Sequence, residues 1–212
     1  MKWTKDSGKE PPQSPAVKRV IEDREKHGPR LAPGQVLTEK WPVLHHGAIP
    51  HIDLKTWTFT IRGLVEEPVT FDWEQFNALP RATLLNDIHC VTHWSRFDNT
   101  WEGVLARDVL AAARIRPEAR FVMVHAYGGY TTNVPLEVIL RPDTIFAFRH
   151  DGHPLTMEHG WPCRLVVPAD HYFWKSAKWV NGFELMEKDR PGFWEQNGYH
   201  MRGNPFLEER FS

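Results

Sequence analysis

The stretch Asp87-Ile88-His89-Cys90-Val91-Thr92-His93-Trp94-Ser95-Arg96-Phe97-Asp98-Asn99-Thr100-Trp101-Glu102-Gly103-Val104 decides how the chain is read. It gathers a thiol, two histidines, two tryptophans and an arginine. The apolar run Ala82-Thr83-Leu84-Leu85 before it reads as a strand. Val104 to about Ala113 behind it reads as a helix by its apolar spacing. Cys90 is therefore expected where a strand ends and a loop begins. Such loops carry chemistry because a rigid element positions them and leaves their side chains free.

Working outward, Trp57-Thr58-Phe59-Thr60-Ile61-Arg62-Gly63 alternates apolar and polar residues, as a half-buried strand does. Val69–Phe71 is a short strand, and Asp72 is placed to cap a helix from Trp73 to Ala78, which Pro80 ends. Arg120–Ala126, Thr131–Val134, Thr144–Phe148, Leu165–Pro168 and Phe183–Met186 read as further strands. Pro135 suits the first turn of a helix to Leu140. Short strands mixed with short helices predict an α+β fold of mixed β-sheets. Residues 1–40, with a short helix over Val17–Glu25, read as an N-terminal arm. Residues 41–190 read as the functional domain, and 191–212 as an ordered tail packed on it.

With 41% hydrophobic and 25% charged residues, the chain fits a globular protein. Its formal charge of -1 argues against nucleic acid as a partner, since a phosphate-tracking surface makes a domain basic. Ten tryptophans and twelve phenylalanines can fill a core or wall a pocket for a flat ligand. The N-terminus shows no apolar leader core and no twin arginine, and no run has transmembrane length. These features predict a cytoplasmic protein without stable membrane insertion.

Cys90 and Cys163 are the two cysteines, too few for a disulfide framework. Cys90 with His93 has Cys-x-x-His spacing, which admits a zinc site or a thiol nucleophile with its base. A four-ligand zinc set is missing from the pattern. His89 would face away from Cys90 on a strand. No Walker or Rossmann glycine pattern is present. His45, His46, His159, Arg164, Ser176 and Lys178 are scattered polar anchors that would suit a phosphate-bearing ligand if they converge.

Four segments together resemble the molybdopterin-binding domain of the sulfite oxidase family. They are Phe59–Pro68; Cys90 followed by Trp101-Glu102-Gly103-Val104; His153-Pro154-Leu155 with His159–Pro168; and Lys175-Ser176-Ala177-Lys178-Trp179. The resemblance runs from about residue 40 to 190 and implies the sulfite oxidase-type fold. It also implies a molybdenum–molybdopterin cofactor without an added nucleotide, with Cys90 as the metal's protein thiolate. His45, His46, His159 and Arg164 would contact the pterin. Ser176 and Lys178 would hold its phosphate, and Ala177 would offer backbone only. Cys90, His93 and Arg96 are the catalytic candidates, with Arg149 as a further pocket-wall residue.

Two departures stand out. Leu44 takes the place of the arginine that holds sulfite in sulfite oxidases proper, and Phe148 that of their active-site tyrosine. Each lost charge-assisted contact is worth on the order of 1.5–3 kcal/mol, so efficient sulfite oxidation is not expected. Cys90-x-x-x-Trp94-Ser95 resembles bacterial members that reduce protein methionine sulfoxide. The expected reaction is oxygen-atom transfer to or from a sulfur- or nitrogen-containing substrate. That substrate would be a small molecule or a protein sulfoxide, served by an unidentified electron donor or acceptor. A zinc or thiol enzyme using Cys90 and His93, and a non-catalytic pterin-binding module, are the alternatives.

Overall fold

The computed structural model describes residues 14–212, so the Met1–Pro12 stretch read for a leader lies outside the described residues. In chain order the elements begin with α1 (Pro15–His27), β1 (Val36–Leu37), β2 (Thr58–Gly63), β3 (Val69–Asp72) and α2 (Trp73–Asn77). Next come β4 (Arg81–His89), β5 (Trp94–Leu105), α3 (Ala106–Leu110), β6 (Phe121–Ala126), β7 (Thr131–Pro135) and α4 (Leu136–Ile139). The chain ends with β8 (Ile145–His150), β9 (His153–Pro154), β10 (Arg164–Val166), β11 (Val180–Met186) and α5 (Phe193–Gln196). Among the described residues, no helix is long and apolar enough to cross a membrane.

Two sheets form the α+β architecture. One runs β1-β5-β8-β10, with β4 also on β5 and β9 on β8; the other runs β3-β2-β11-β6-β7. Within the second sheet β11 lies parallel to β2 and antiparallel to β6. The core joins them. Phe59 of β2 meets Phe146 of β8 at 5.0 Å and Phe183 of β11 at 5.2 Å between ring centroids. Phe76 of α2 sits 5.2 Å from Phe59 and completes the ring cluster. α2 is held at its start by a reciprocal cap. Asp72 Oδ1 accepts from Gln75 N at 2.8 Å, and Gln75 Oε1 accepts from Asp72 N at 3.0 Å.

The central stretch departs from its reading as a long loop. Residues 94–105 are a strand, paired antiparallel with β4 from Arg81↔Val104 to His89↔Ser95. The loop shrinks to a turn over residues 90–93, where Cys90 N donates to Trp94 O at 2.8 Å. The apolar alternation of β5 is hidden because two of its buried positions are polar. Ser95 and Asn99 are fully buried. Ser95 Oγ pairs with His89 Nδ1 at 2.7 Å, and Asn99 Nδ2 donates to Asn86 O at 3.0 Å. Their hydrogen bonds offset the cost of burial.

β5 also needs a glycine. A Cβ on Gly103 would overlap the Phe146 carbonyl of β8 and crowd the Ala147 backbone at 2.9 Å. Gly103→Ala must therefore part β5 from β8. It is expected to cost about 3 kcal/mol or more, in the range of strain inside a packed core. A urea midpoint unchanged from wild type would contradict this close approach.

Candidate active site

The turn after β4 opens into a cavity of about 320 Å³. Cys90, Val91 and Thr92 line it from the turn; Trp41, Leu44, His45 and His46 line it from the loop before β2. Arg164 and Lys178 enter from either side of the 167–177 segment, and Trp194 and Tyr199 come from the tail. Aromatic rings supply most of the remaining wall. Among the described lining residues there is no aspartate or glutamate.

The cations in this wall lack a carboxylate. Arg164 is buried at 1% exposure. It donates through Nη1 to His159 O at 3.0 Å and through Nη2 to Ser176 O at 2.9 Å, while its buried Nε has no partner. Burial pulls its pKa down to about 9. Lys178 Nζ donates to Glu158 O at 2.6 Å. Burial, and then the charge of Arg164, lower its pKa to about 7. Their bonds go to carbonyls, so the positive charge is left for an anionic ligand.

Rings hold the neighbouring surfaces in place. Trp41 stacks on His159 with centroids 3.7 Å apart at 12°. Burial lowers the His159 pKa to about 4, so the ring is neutral near pH 7. The Arg164 guanidinium sits 4.4 Å from the Phe173 centroid. His46 lies 4.0 Å from Phe193, and Tyr199 stacks on Trp194 at 5.0 Å. The tail that brings Trp194 and Tyr199 is anchored by a buried ion pair, Lys175 Nζ to Glu195 Oε1 at 2.6 Å.

The two cysteines part ways. Cys90 is 6% exposed and lines the cavity; Cys163 is fully buried in the core between the sheets. Burial pushes the Cys90 thiol up. The Thr92 hydroxyl at 3.2 Å, the backbone at Thr92 and Val91 and the charge of Arg210 pull the other way. Those groups favour an anionic sulfur, the form that binds metal.

The structure gathers Cys90, His45, His46, Arg164 and Lys178 around one cavity. The other candidates stand apart from its lining. His93 has a left-handed backbone (φ 70°) and pairs through Nδ1 with Gly34 O at 2.9 Å, so it turns out of the cavity and no Cys–His pair is formed. Arg96 is drawn into an ion pair with Asp151 at 2.6 Å and bonds to Asn99 and His150. Arg149 pairs with Glu102 at 3.3 Å. Ser176 Oγ accepts from Val167 N at 3.0 Å, and Ala177 O accepts from Leu165 N at 2.8 Å. These two, with His159, form a layer behind the wall.

Phe148 is a core residue, 5.4 Å from Trp73, and does not reach the cavity. Tyr130 does, with its hydroxyl donating to Trp174 O at 2.5 Å. Phe148 therefore brings no group to the cavity, and the hydroxyl of Tyr130, which lines it, is already engaged by a backbone carbonyl. Leu44 does line the cavity, at 49% exposure. Trp94, part of the Cys90-x-x-x-Trp94-Ser95 pattern, lines the cavity, and so do Tyr130, Trp41, Trp174 and Tyr199, which no motif singles out. Their signal was the tryptophan and tyrosine content, which names no position.

A cavity with a thiol in its wall, cations unpaired by carboxylates and aromatic rings around them suits an anionic, ring-bearing ligand. The chain matches the oxidoreductase molybdopterin binding domain family over residues 46–194, and it belongs to that family. It is 47% identical to the uncharacterized oxidoreductase YuiH of Bacillus subtilis, over 86% of this chain and 92% of that protein. It is 27% identical to the NADH nitrate reductase of Ulva prolifera, over 78% of this chain and 22% of that one. A protein of Azospira oryzae named for a protein-methionine-sulfoxide reductase subunit, YedZ1, is 24% identical over 82% of this chain and 66% of its own. The sulfane dehydrogenase SoxCD of Paracoccus pantotrophus shares the fold. Its TM-score is 0.63 at 24% identity, over 73% of this chain and 43% of that one. The protein is thus a molybdopterin oxidoreductase of the sulfite oxidase and nitrate reductase type. The family's cofactor is molybdopterin carrying molybdenum, and the residues fit it: cations without carboxylates for its phosphate, rings for its pterin, a thiol for its metal.

Lys178 gives a pH test on the cofactor-free protein. Its folded pKa, about 7, lies below the unfolded value near 10.4. Between these the unfolded chain binds more protons, so this group makes stability rise with pH. Lys178→Met is expected to raise the melting temperature at pH 6, and the gain should shrink steadily towards pH 10. A pH-independent difference would show that Lys178 is not desolvated by the cavity wall.

Proposed function

We propose that Cys90 is the protein ligand of molybdenum and that the enzyme transfers an oxygen atom to or from sulfur or nitrogen. The observation that carries this is the Cys90 thiol opening into a carboxylate-free, ring-walled cavity that also holds Arg164 and Lys178. A thiolate suits a high-valent, sulfur-bound metal and helps set its potential. When bound, the cofactor supplies two-electron oxygen-atom transfer. The chain's residues bind, orient and exclude water. His45 and His46 would border the pterin, Arg164 and Lys178 would hold the cofactor's anionic end, and Ser176 and Ala177 fix the backbone between them.

For the substrate we propose a neutral S-oxide or N-oxide. Leu44 offers no charge at the mouth, and indole walls make favourable contacts with sulfur. A sulfoxide would take two electrons and two protons to give a sulfide and water, with a redox partner providing the electrons. The likeness to a protein named for sulfoxide reduction supports the S-oxide.

Purified protein is expected to carry about one molybdenum per chain and to reduce a small sulfoxide with an artificial donor. Cys90→Ala should lower that turnover by ~100-fold or more, the upper end of what metal-site support residues cost. Zinc in place of molybdenum would restore the thiol-enzyme reading. Full activity in Cys90→Ala would end the ligand assignment, and loaded but redox-silent protein would favour a binding module.

A further inference from the structure

The turn that presents Cys90 is gripped by residues outside the family's matched span of 46–194. Gln35 Nε2 donates to Cys90 O at 3.0 Å, and Arg210 Nη1 donates to Val91 O at 2.7 Å. Gly34 O meets His93 Nδ1 at 2.9 Å, and Val36 N donates to His93 O at 2.9 Å. The carbonyls of Cys90, Val91 and His93 are thus taken by the segment before β2 and by the end of the tail.

Arg210 is the unusual member. It is 8% exposed, and its second bond goes to Pro33 O at 3.3 Å. Its guanidinium lies 5.0 Å from the Tyr172 centroid. Among the described residues its polar partners are carbonyls, with no carboxylate in ion-pair range. A buried guanidinium is costly unless an anion answers it. Glu208 Oε1 lies on the Gly34 side of this guanidinium. On the turn itself the sulfur of Cys90, one residue from the carbonyl that Arg210 grips, would become an anion when it binds a metal, and the charge of Arg210 favours that form.

We infer that Arg210 is a positioning residue for the metal centre: it holds the Cys90 turn through Val91 and lends positive charge to the ligand sulfur. The inference rests on Cys90 as the molybdenum ligand. A nearby cation stabilises the more negative, reduced centre, so its loss lowers the midpoint potential. Gln35 contributes geometry without charge.

The test is a potentiometric titration of the Mo(V) EPR signal in molybdenum-loaded protein. Arg210→Gln keeps a donor for Val91 O and loses the charge; Arg210→Lys keeps the charge. In Arg210→Gln the ratio of reduced to oxidised centre at fixed potential is expected to fall about tenfold, 59 mV for a one-electron step. Arg210→Lys should stay within about threefold of wild type. A merely structural role would lower the melting temperature of Arg210→Gln and leave its potential unmoved, which would overturn the inference. Should Arg210→Gln fail to fold, Gln35→Met reads the same grip. Shifted Mo(V) g-values are expected, and wild-type g-values would overturn it. Cys90→Ser with wild-type g-values would instead sink the ligand assignment, so the two failures are distinguishable.

Discussion

Charge buried without its opposite is the constraint on which this structure turns. Arg164 lies under Trp41 and Phe173 with its Nε unpartnered, and Lys178 shares the same cavity. Taking a guanidinium and an ammonium out of water is costly, and carbonyl dipoles recover only part of it. Had a carboxylate lain in the wall, the pair would have closed on itself and the cavity would have no use for an anion. Its absence from the lining makes the cavity a receptor for negative charge. The depressed pKa of Lys178 is the same fact seen as a proton equilibrium.

A second constraint is strand register. His89 and Cys90 are neighbours, yet His89 is buried against Ser95 while Cys90 faces the cavity. A slip of one residue in β4 would exchange them, since side chains alternate between faces. The β4–β5 pairing therefore decides which of two reactive groups becomes available. Cys163, with the same functional group, lies in the hydrophobic core and outside the cavity lining.

The site is assembled from pieces far apart in sequence. The loop before β2 is carried by ring contacts, such as Trp41 on His159 and His46 on Phe193. The tail is locked by Lys175 and Glu195, deep in the protein, and so sets Trp194 and Tyr199 at the cavity wall. Neither piece would have a defined position alone. Each depends on groups supplied by the sheets, which ties cofactor access to tertiary packing.

Much was legible in the residues themselves. β2 declares itself by alternation, α2 by the Asp72–Gln75 cap, and α4 by Pro135, because these signals are local. The ordered segments around Cys90, Arg164 and Lys178 carried the family and its cofactor chemistry. β5 was misread because Ser95 and Asn99 sit where apolar residues would have shown the period. His93 and Arg96 were close to Cys90 in sequence and were drawn elsewhere by Gly34 and Asp151. The sequence alone thus determined the locally signalled elements such as β2, α2 and α4, the candidate thiol and the cations suited to an anion. Only the tertiary structure decided which side chains share the cavity, since direction and burial depend on register, backbone conformation and partners tens of residues away.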